Sequence, residues 1–136
     1  MPGRFEPIET SKSRVATDGV RNTARRIAAT WFLDCEQAPG FEACAAIAQM
    51  AGKQSLLAGL DAMNRWDGEA RLHDIIAQTL VIWGDRDRTY PWPQVQKLWQ
   101  AIPNTSLAVI PNCAHVPHLE SPDVFNAILK GFVTKA

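Results

Sequence analysis

Two stretches decide the fold: Thr79 to Asp87, which reads TLVIWGDRD, and Ser106 to His115, which reads SLAVIPNCAH. Each opens with a short apolar run, and the first, which is closed by Gly84, is typical of a strand buried on both faces of a parallel sheet. Between them, Pro93 stands where a helix can begin without wasting an amide donor, and apolar residues follow at helical spacing up to Ile102. We therefore predict two parallel strands joined by a right-handed helical crossover.

A last helix is predicted after the second strand. Ser121, Pro122 and Asp123 suit an N-cap, a proline at the first helical position and an acid in the first turn. Apolar residues then recur on one side of the predicted helix, and we expect this stripe to be buried: Phe125, Ile128, Leu129 and Phe132. Residues 72–136 thus read as a β-α-β-α unit, and the fold class is α/β.

The first half of the chain has a helical period instead. Two groups of apolar residues recur at helical spacing, with a break at Pro39-Gly40 between them. They are Val20, Ala24, Ile27, Ala28 and Trp31, then Leu56, Leu60 and Met63. We predict two to four amphipathic helices over residues 20–71. Residues 1–19 lack an apolar period, and we expect them to be extended or disordered.

Composition excludes several classes of protein. The 136 residues are 46% hydrophobic and 21% charged, which is ordinary for a globular domain, and 14 basic residues balance 14 acidic ones. This balance lacks the excess of basic residues that is typical of proteins that bind nucleic acid or an anionic membrane. Because residues 1–10 are charged and proline-containing where a secretory signal is apolar, we expect a cytoplasmic protein.

The cysteines and histidines do not suggest a bound metal. Cys35, Cys44 and Cys113 make an odd number without a C-x-x-C pair, which favours reduced thiols. Together with His73, His115 and His118 they do not reproduce the spacing of structural zinc sites. We therefore expect neither a metal nor another cofactor.

An acid after one parallel strand and a histidine after the next suit general-base chemistry. The carboxyl ends of such strands meet at one edge of the sheet, and a carboxylate there can orient an imidazole. Histidine titrates near neutral pH, so it can accept and return a proton within one cycle. The alternative for His115 is a structural role, as a loop histidine that is bonded only to backbone.

These two motifs resemble those of the α/β-hydrolase superfamily, whose members carry a strand ending in Gly-x-x-Asp and a Gly/Ala-His followed by an apolar, proline and glutamate pattern. Here the matching residues are 84–87 and 114–120, although Ala114 stands where glycine is commoner. The resemblance extends over residues 20–133, because the helical first half looks like the lid that this family inserts before its penultimate strand. Within the family, residues 18–32, 60–67, 71–72 and 74–75 are similar to those of 3-oxoadipate enol-lactonases and related esterases.

The resemblance implies roles for individual residues. Asp87 matches the catalytic acid and His115 the base, while Asp85 competes for the acid role and is otherwise a turn former. Trp92, in the loop after the acid, is a candidate substrate-binding residue. For His118 and Glu120 we expect structural roles, holding the histidine loop and the start of the last helix.

The nucleophile of the family is missing from the sequence. No Gly-x-Ser-x-Gly occurs in it, and the surroundings of Cys44, Ser55 and Cys113 do not match a strand-to-helix elbow. We expect both of these thiols to be buried and inert. The chain therefore reads as the C-terminal half of a hydrolase, with the nucleophile expected upstream.

The leading interpretation is an ester or lactone hydrolase that is active only when a complementary N-terminal half completes it. The alternative is a non-catalytic relic that acts as a self-associating or binding α/β module, and a fragment of an ordinary enzyme is a third interpretation. Because the first strand would lack its usual neighbour, we expect a homo-oligomer or a pairing with the other half. A small carbonyl compound is the expected substrate, with no nucleic acid or membrane partner.

Overall fold

The computed structural model describes residues 6–134, in which helices precede a short parallel sheet. In chain order the elements are α1 (Ile8–Thr17), α2 (Val20–Ala29), α3 (Phe41–Ala48), α4 (Lys53–Arg65), β1 (Thr79–Gly84), α5 (Trp92–Ala101), β2 (Thr105–Ile110), α6 (Pro117–Glu120) and α7 (Pro122–Val133). Two 3-10 turns, Cys35–Gln37 and Glu69–Asp74, connect helices of the first half and lead towards β1. No helix among the described residues is long and apolar enough to cross a membrane.

The two strands are parallel, as the sequence predicts. Thr79 pairs with Thr105 and the register continues without a break to Gly84 and Ile110. Helix α5 packs against both strands, and α7 packs against β2. The β-α-β-α order therefore brings the residues that follow Gly84 and Ile110 to the same edge of the sheet.

A small apolar core joins the helical half to the loop that follows β2. Its buried members are Ala28, Phe32, Ala38, Phe41, Ala45 and Val116. Phe32 and Phe41 meet edge to face, with ring centroids 5.9 Å apart, which is a favoured arrangement for aromatic pairs. Because Val116 directly follows His115, this core fixes the helices against the loop that carries the histidine.

The expectation of an extended or disordered N-terminal segment was wrong for residues 8–17, which form α1. Residues 1–5 of that segment lie outside the described residues. Ile8, Ser11 and Val15 are buried on one side of α1, which packs on α4 and α2. Two apolar residues seven positions apart make too sparse a pattern to be recognised, and tertiary packing supplies the remaining stabilisation.

Two expectations of full burial were also wrong. In β1 only Gly84 is buried, and the other strand residues are partly exposed. Helix α7 has no buried residue, and Leu129 within its predicted stripe is 39% exposed. The physical reason is the small size of the sheet. A two-stranded sheet is too narrow to cover a whole helix face, and a strand is buried on both faces only where helices pack on both.

Candidate active site

The loops that follow β1 and β2 lie in direct contact at Gly84. The amide of Arg86 donates to the carbonyl of Cys113 at 2.9 Å, and that of Asp85 donates to the carbonyl of Ile110 at 3.2 Å. A Cβ atom at Gly84 would stand only 2.2 Å from the Ala114 carbonyl oxygen. Glycine is therefore required here for close approach of two backbones, and this approach brings the acid and the histidine together.

The side chain of Asp87 is buried and directed at His115. Its side chain is 5% exposed, and Oδ2 lies 3.0 Å from Nδ1 of His115. The other oxygen, Oδ1, accepts the backbone N–H groups of Thr89 at 2.7 Å and Tyr90 at 3.2 Å. Each carboxylate oxygen thus has a defined partner, which fixes the direction of the carboxylate.

Asp85 has a different task. Its Oδ1 accepts the backbone N–H of Asn112 at 2.7 Å, and Asn112 has a positive φ of 54°. The Asp85 carboxylate therefore stabilises a left-handed turn after β2, a conformation that asparagine tolerates better than most residues. Asp87, and not Asp85, is the residue within hydrogen-bond distance of the imidazole.

The backbone and the ring of His115 are both held. Its N–H donates to the carbonyl of Trp31 at 2.9 Å. The imidazole lies beside two aromatic rings, with centroid distances of 5.3 Å to Tyr90 and 6.1 Å to Trp31. An ionised carboxylate can only accept, so a hydrogen bond from His115 to an ionised Asp87 requires the proton on Nδ1 and leaves Nε2 without one.

Glu120 has the structural role that the sequence predicts, and its partners are backbone groups. One carboxylate oxygen accepts the N–H of Ala114 and the other accepts the N–H of Leu33, each at 2.6 Å. His118 is exposed, and its ring lies 5.7 Å from that of Phe125. His118 thus contacts the last helix.

Sequence reasoning missed Trp31 and Arg88 as neighbours of the site. The Arg88 guanidinium donates to the carbonyl of Phe32 at 2.6 Å, across 56 residues of sequence. The spacing of Trp31 indicated an ordinary packing residue. Nothing in the local pattern could have identified either contact, since both depend on how the helical half docks.

The predicted substrate-binding residue, Trp92, lies at the start of α5. Its ring is 5.4 Å from that of Trp83, and it is 37% exposed. Trp83 in turn donates its indole N–H to the carbonyl of Tyr90 at 3.0 Å. Trp92 is thus connected through Trp83 to the residue that flanks His115, and its contact with substrate stays a prediction.

The three thiols are free, without a disulfide. Cys113 is 2% exposed, and burial, together with the nearby carboxylates of Glu120 and Asp85, raises the pKa of its thiol. Burial also raises the pKa of the half-buried Cys44. A raised pKa keeps a thiol in its unreactive protonated form, which agrees with inert thiols at both positions.

Comparison with known proteins identifies a family for this chain. Residues 2–128 match the sequence profile of the Alpha/beta hydrolase family. A 2-hydroxy-6-oxo-6-phenylhexa-2,4-dienoate hydrolase of Burkholderia cepacia is 38% identical over 71 residues, which are 52% of this chain and 25% of that protein. A 2-hydroxy-6-oxononadienedioate/2-hydroxy-6-oxononatrienedioate hydrolase of Pseudomonas putida is 39% identical over 67 residues, or 49% of this chain and 23% of that protein.

Solved structures share the fold over nearly the whole chain. An esterase from Exiguobacterium antarcticum superposes with a TM-score of 0.85 at 16% identity, covering 93% of this chain and 47% of that one. The enol-lactonase from Burkholderia xenovorans gives 0.78 at 21% identity, covering 97% and 52%. The matched segments thus span about a quarter of the curated relatives' length and about half of the solved structures. With the family profile matching nearly all of its residues, the chain belongs to the alpha/beta hydrolase family.

Proposed function

We propose that Asp87 and His115 are the acid and the general base of an ester or lactone hydrolase whose nucleophile comes from outside these 136 residues. The observation that carries the proposal is the 3.0 Å contact between Asp87 Oδ2 and His115 Nδ1. Its geometry is that of a carboxylate orienting a catalytic imidazole.

The proposed chemistry follows from the two ring nitrogens. Asp87 holds the proton on Nδ1 and stabilises the imidazolium that forms during the reaction, so Nε2 can take the proton of an attacking hydroxyl. The same nitrogen then returns the proton to the leaving group. The nucleophile and the donors to the oxyanion are supplied by the completing segment, either upstream in a longer protein or in a separate chain.

The relatives support a small carbonyl substrate. The two curated relatives described above are named as hydrolases of 2-hydroxy-6-oxo-6-phenylhexa-2,4-dienoate and of 2-hydroxy-6-oxononadienedioate/2-hydroxy-6-oxononatrienedioate. Two structural neighbours are named as an esterase and an enol-lactonase. In ester or lactone hydrolysis by covalent catalysis, an activated hydroxyl adds to the carbonyl carbon and expels the alcohol, and water then releases the acyl group from the enzyme. We infer that this chain contributes its acid and base to a reaction of that kind.

Complementation tests the proposal. The chain alone should hydrolyse p-nitrophenyl acetate at a rate close to that of its His115→Ala variant, because an Asp-His pair without nucleophile and oxyanion donors is a weak catalyst. Co-expressed with the N-terminal half of a full-length family member, it should gain esterase activity. In that complex Asp87→Asn and His115→Ala should each lower kcat by about 10³–10⁴.

The matched control is Asp85→Asn, which should cost far less activity because Asp85 holds a turn and not the imidazole. A larger loss for Asp85→Asn than for Asp87→Asn would contradict the proposed roles. Activity of the chain alone that disappears in Cys113→Ala or Cys44→Ala would show that a thiol is the nucleophile instead.

A non-catalytic binding module is the second candidate function. Large apolar side chains at Ile47, Met50 and Ile76 are 72%, 83% and 84% exposed, and exposed apolar surface favours association. Self-association with no gain of activity on complementation would favour this candidate.

A further inference from the structure

Residues Trp31 to Leu33, here called the 31–33 segment, contact both loops of the candidate active site. The carbonyl of Trp31 accepts the N–H of His115 at 2.9 Å. The carbonyl of Phe32 accepts from Arg88, and the N–H of Leu33 donates to Glu120, each at 2.6 Å. One short piece of backbone from the helical half is thus bonded to three residues of the β-α-β-α unit.

Glu120 bonds to the backbone on both sides of the hydrogen bond between His115 and Trp31. Its carboxylate accepts the N–H of Ala114, which directly precedes His115, and the N–H of Leu33, two residues beyond Trp31. Both bonds are charge-assisted, and such bonds are about twice as strong as neutral ones. The carboxylate therefore fixes the histidine loop relative to the 31–33 segment from both sides.

Arg88 fixes the loop that carries Asp87, here called the acid loop, to the same 31–33 segment. It directly follows Asp87, and its Nη2 lies 2.6 Å from the carbonyl oxygen of Phe32 and 3.4 Å from that of Leu33. The loops that carry Asp87 and His115 are thus held to the same three residues of backbone. A displacement of this segment would alter the distance between the carboxylate and the imidazole.

We propose that Glu120 is a positioning residue for the Asp87–His115 pair, with Arg88 as its counterpart on the acid loop. The catalytic meaning of this inference rests on the proposed function, whereas the positioning itself does not need activity to be measured. The helical half then fixes the relative positions of Asp87 and His115 through the 31–33 segment, in addition to any contact it makes with substrate.

The test uses NMR of the 136-residue chain with 15N-labelled histidine. In the unchanged chain the Nδ1–H of His115 should be visible and protected from exchange with water. Glu120→Gln keeps the shape of the side chain, but its amide can accept only one of the two backbone N–H groups and directs its own NH₂ at the other. We expect exchange of the Nδ1–H to become about tenfold faster, the factor given by the loss of one charge-assisted hydrogen bond.

Two controls separate positioning from general stability. Glu42→Gln removes an exposed glutamate that pairs with Arg25, and should leave the exchange unchanged. Leu60→Ala opens a cavity at a residue of α4 that is 2% exposed, which destabilises the chain without touching the 31–33 segment. When the two variants are compared at the same free energy of unfolding, Leu60→Ala should accelerate exchange of the Nδ1–H much less than Glu120→Gln does.

The proposal is overturned if the Nδ1–H is unprotected in the unchanged chain, if Glu120→Gln leaves its exchange unchanged, or if Leu60→Ala accelerates it equally. Should Glu120→Gln not fold, Arg88→Gln carries the same test, with accelerated exchange expected and unchanged exchange contradicting the proposal. The exchange measurement tests the positioning role, whereas the activity of the complemented enzyme tests the proposed function. A failure of one claim can therefore be told apart from a failure of the other.

Discussion

At the scale of single residues, the site depends on which of two neighbouring aspartates reaches the imidazole. Asp85 and Asp87 are separated by one residue, yet Asp85 bonds the backbone of Asn112 while Asp87 bonds His115. The turn after Gly84 causes the difference, because the amide of Asp87 folds back to the carbonyl of Gly84 at 3.0 Å. The task of each carboxylate is therefore set by backbone geometry and not by residue type.

Gly84→Ala should be strongly destabilising. The added methyl would lie 2.2 Å and 2.3 Å from the carbonyl oxygens of Ala114 and Cys113, so two backbone segments would have to separate. We expect a loss of about 3 kcal/mol in the free energy of unfolding, measured by urea denaturation. Gly59→Ala in α4 is the matched control, since nothing lies within 4 Å of its added methyl, and it should stabilise by about 0.5–1 kcal/mol. Equal effects of the two substitutions would contradict the close approach at Gly84.

At the scale of elements, α1 is held to α2 by a half-buried ionic cluster. The carboxylate of Glu6, which precedes α1, is bonded to the guanidinium of Arg26 in α2 and to the hydroxyl of Ser11. Burial alone would raise the pKa of Glu6, but the hydrogen bonds from Arg26 and Ser11 and the positive charges of Arg26 and Arg14 outweigh it and lower the pKa. The folded state therefore favours the ionised form of this carboxyl group.

Low pH should weaken the attachment of α1 to α2 by protonating Glu6. Because the pKa is lowered in the folded state, the stabilisation is present above the ordinary value of 4.5 and is lost as the pH falls through the lower folded value. Glu6→Gln should cost about 1 kcal/mol at pH 7 and reduce the loss of stability between pH 5 and pH 3, followed by urea unfolding at each pH. Glu9→Gln, at an exposed position of α1, should change the pH profile little. A pH profile of Glu6→Gln that parallels the unchanged chain would contradict the role of this cluster.

At the scale of the whole molecule, the sheet has only two strands among the described residues, and the outer edge of each lacks a partner strand. Within the described residues β1 pairs with β2 alone, and apolar side chains near the sheet such as Trp99 and Val109 are 39% and 45% exposed. An apolar strand with unpaired backbone groups is a template for another strand. We propose that β1 pairs with a second copy of the chain or with a complementary hydrolase half.

Association at micromolar concentration is the expected result when the chain is purified alone. Light scattering should give a dimer or larger species, and Val81→Lys in β1 should reduce it because a charge on an edge strand opposes strand pairing. Thr10→Lys, on the exposed side of α1, is the matched control and should leave the size unchanged. A folded species of 15 kDa that is indifferent to Val81→Lys would contradict the proposal.

The sequence by itself determined the alternation of strand and helix in the second half. The continuous apolar run at Thr79–Gly84 and the proline before the α5 stripe are local signals, since strand propensity and helix initiation depend mainly on neighbouring residues. The same locality placed Asp87 and His115 in loops that follow predicted strands, and the Gly-x-x-Asp register of the resembled family distinguished Asp87 from Asp85. Their contact then follows from parallel topology, in which successive strand ends share an edge.

Only the tertiary structure decided what surrounds this pair. The 31–33 segment reaches His115, Arg88 and Glu120 across more than fifty residues of sequence, and no local period encodes where one half docks on the other. Tertiary packing also decided that α1 is a helix and that α7 stays half-exposed, because burial depends on how much surface the neighbouring elements offer. Local sequence thus specified the elements and the candidate residues, while long-range contacts specified their environment.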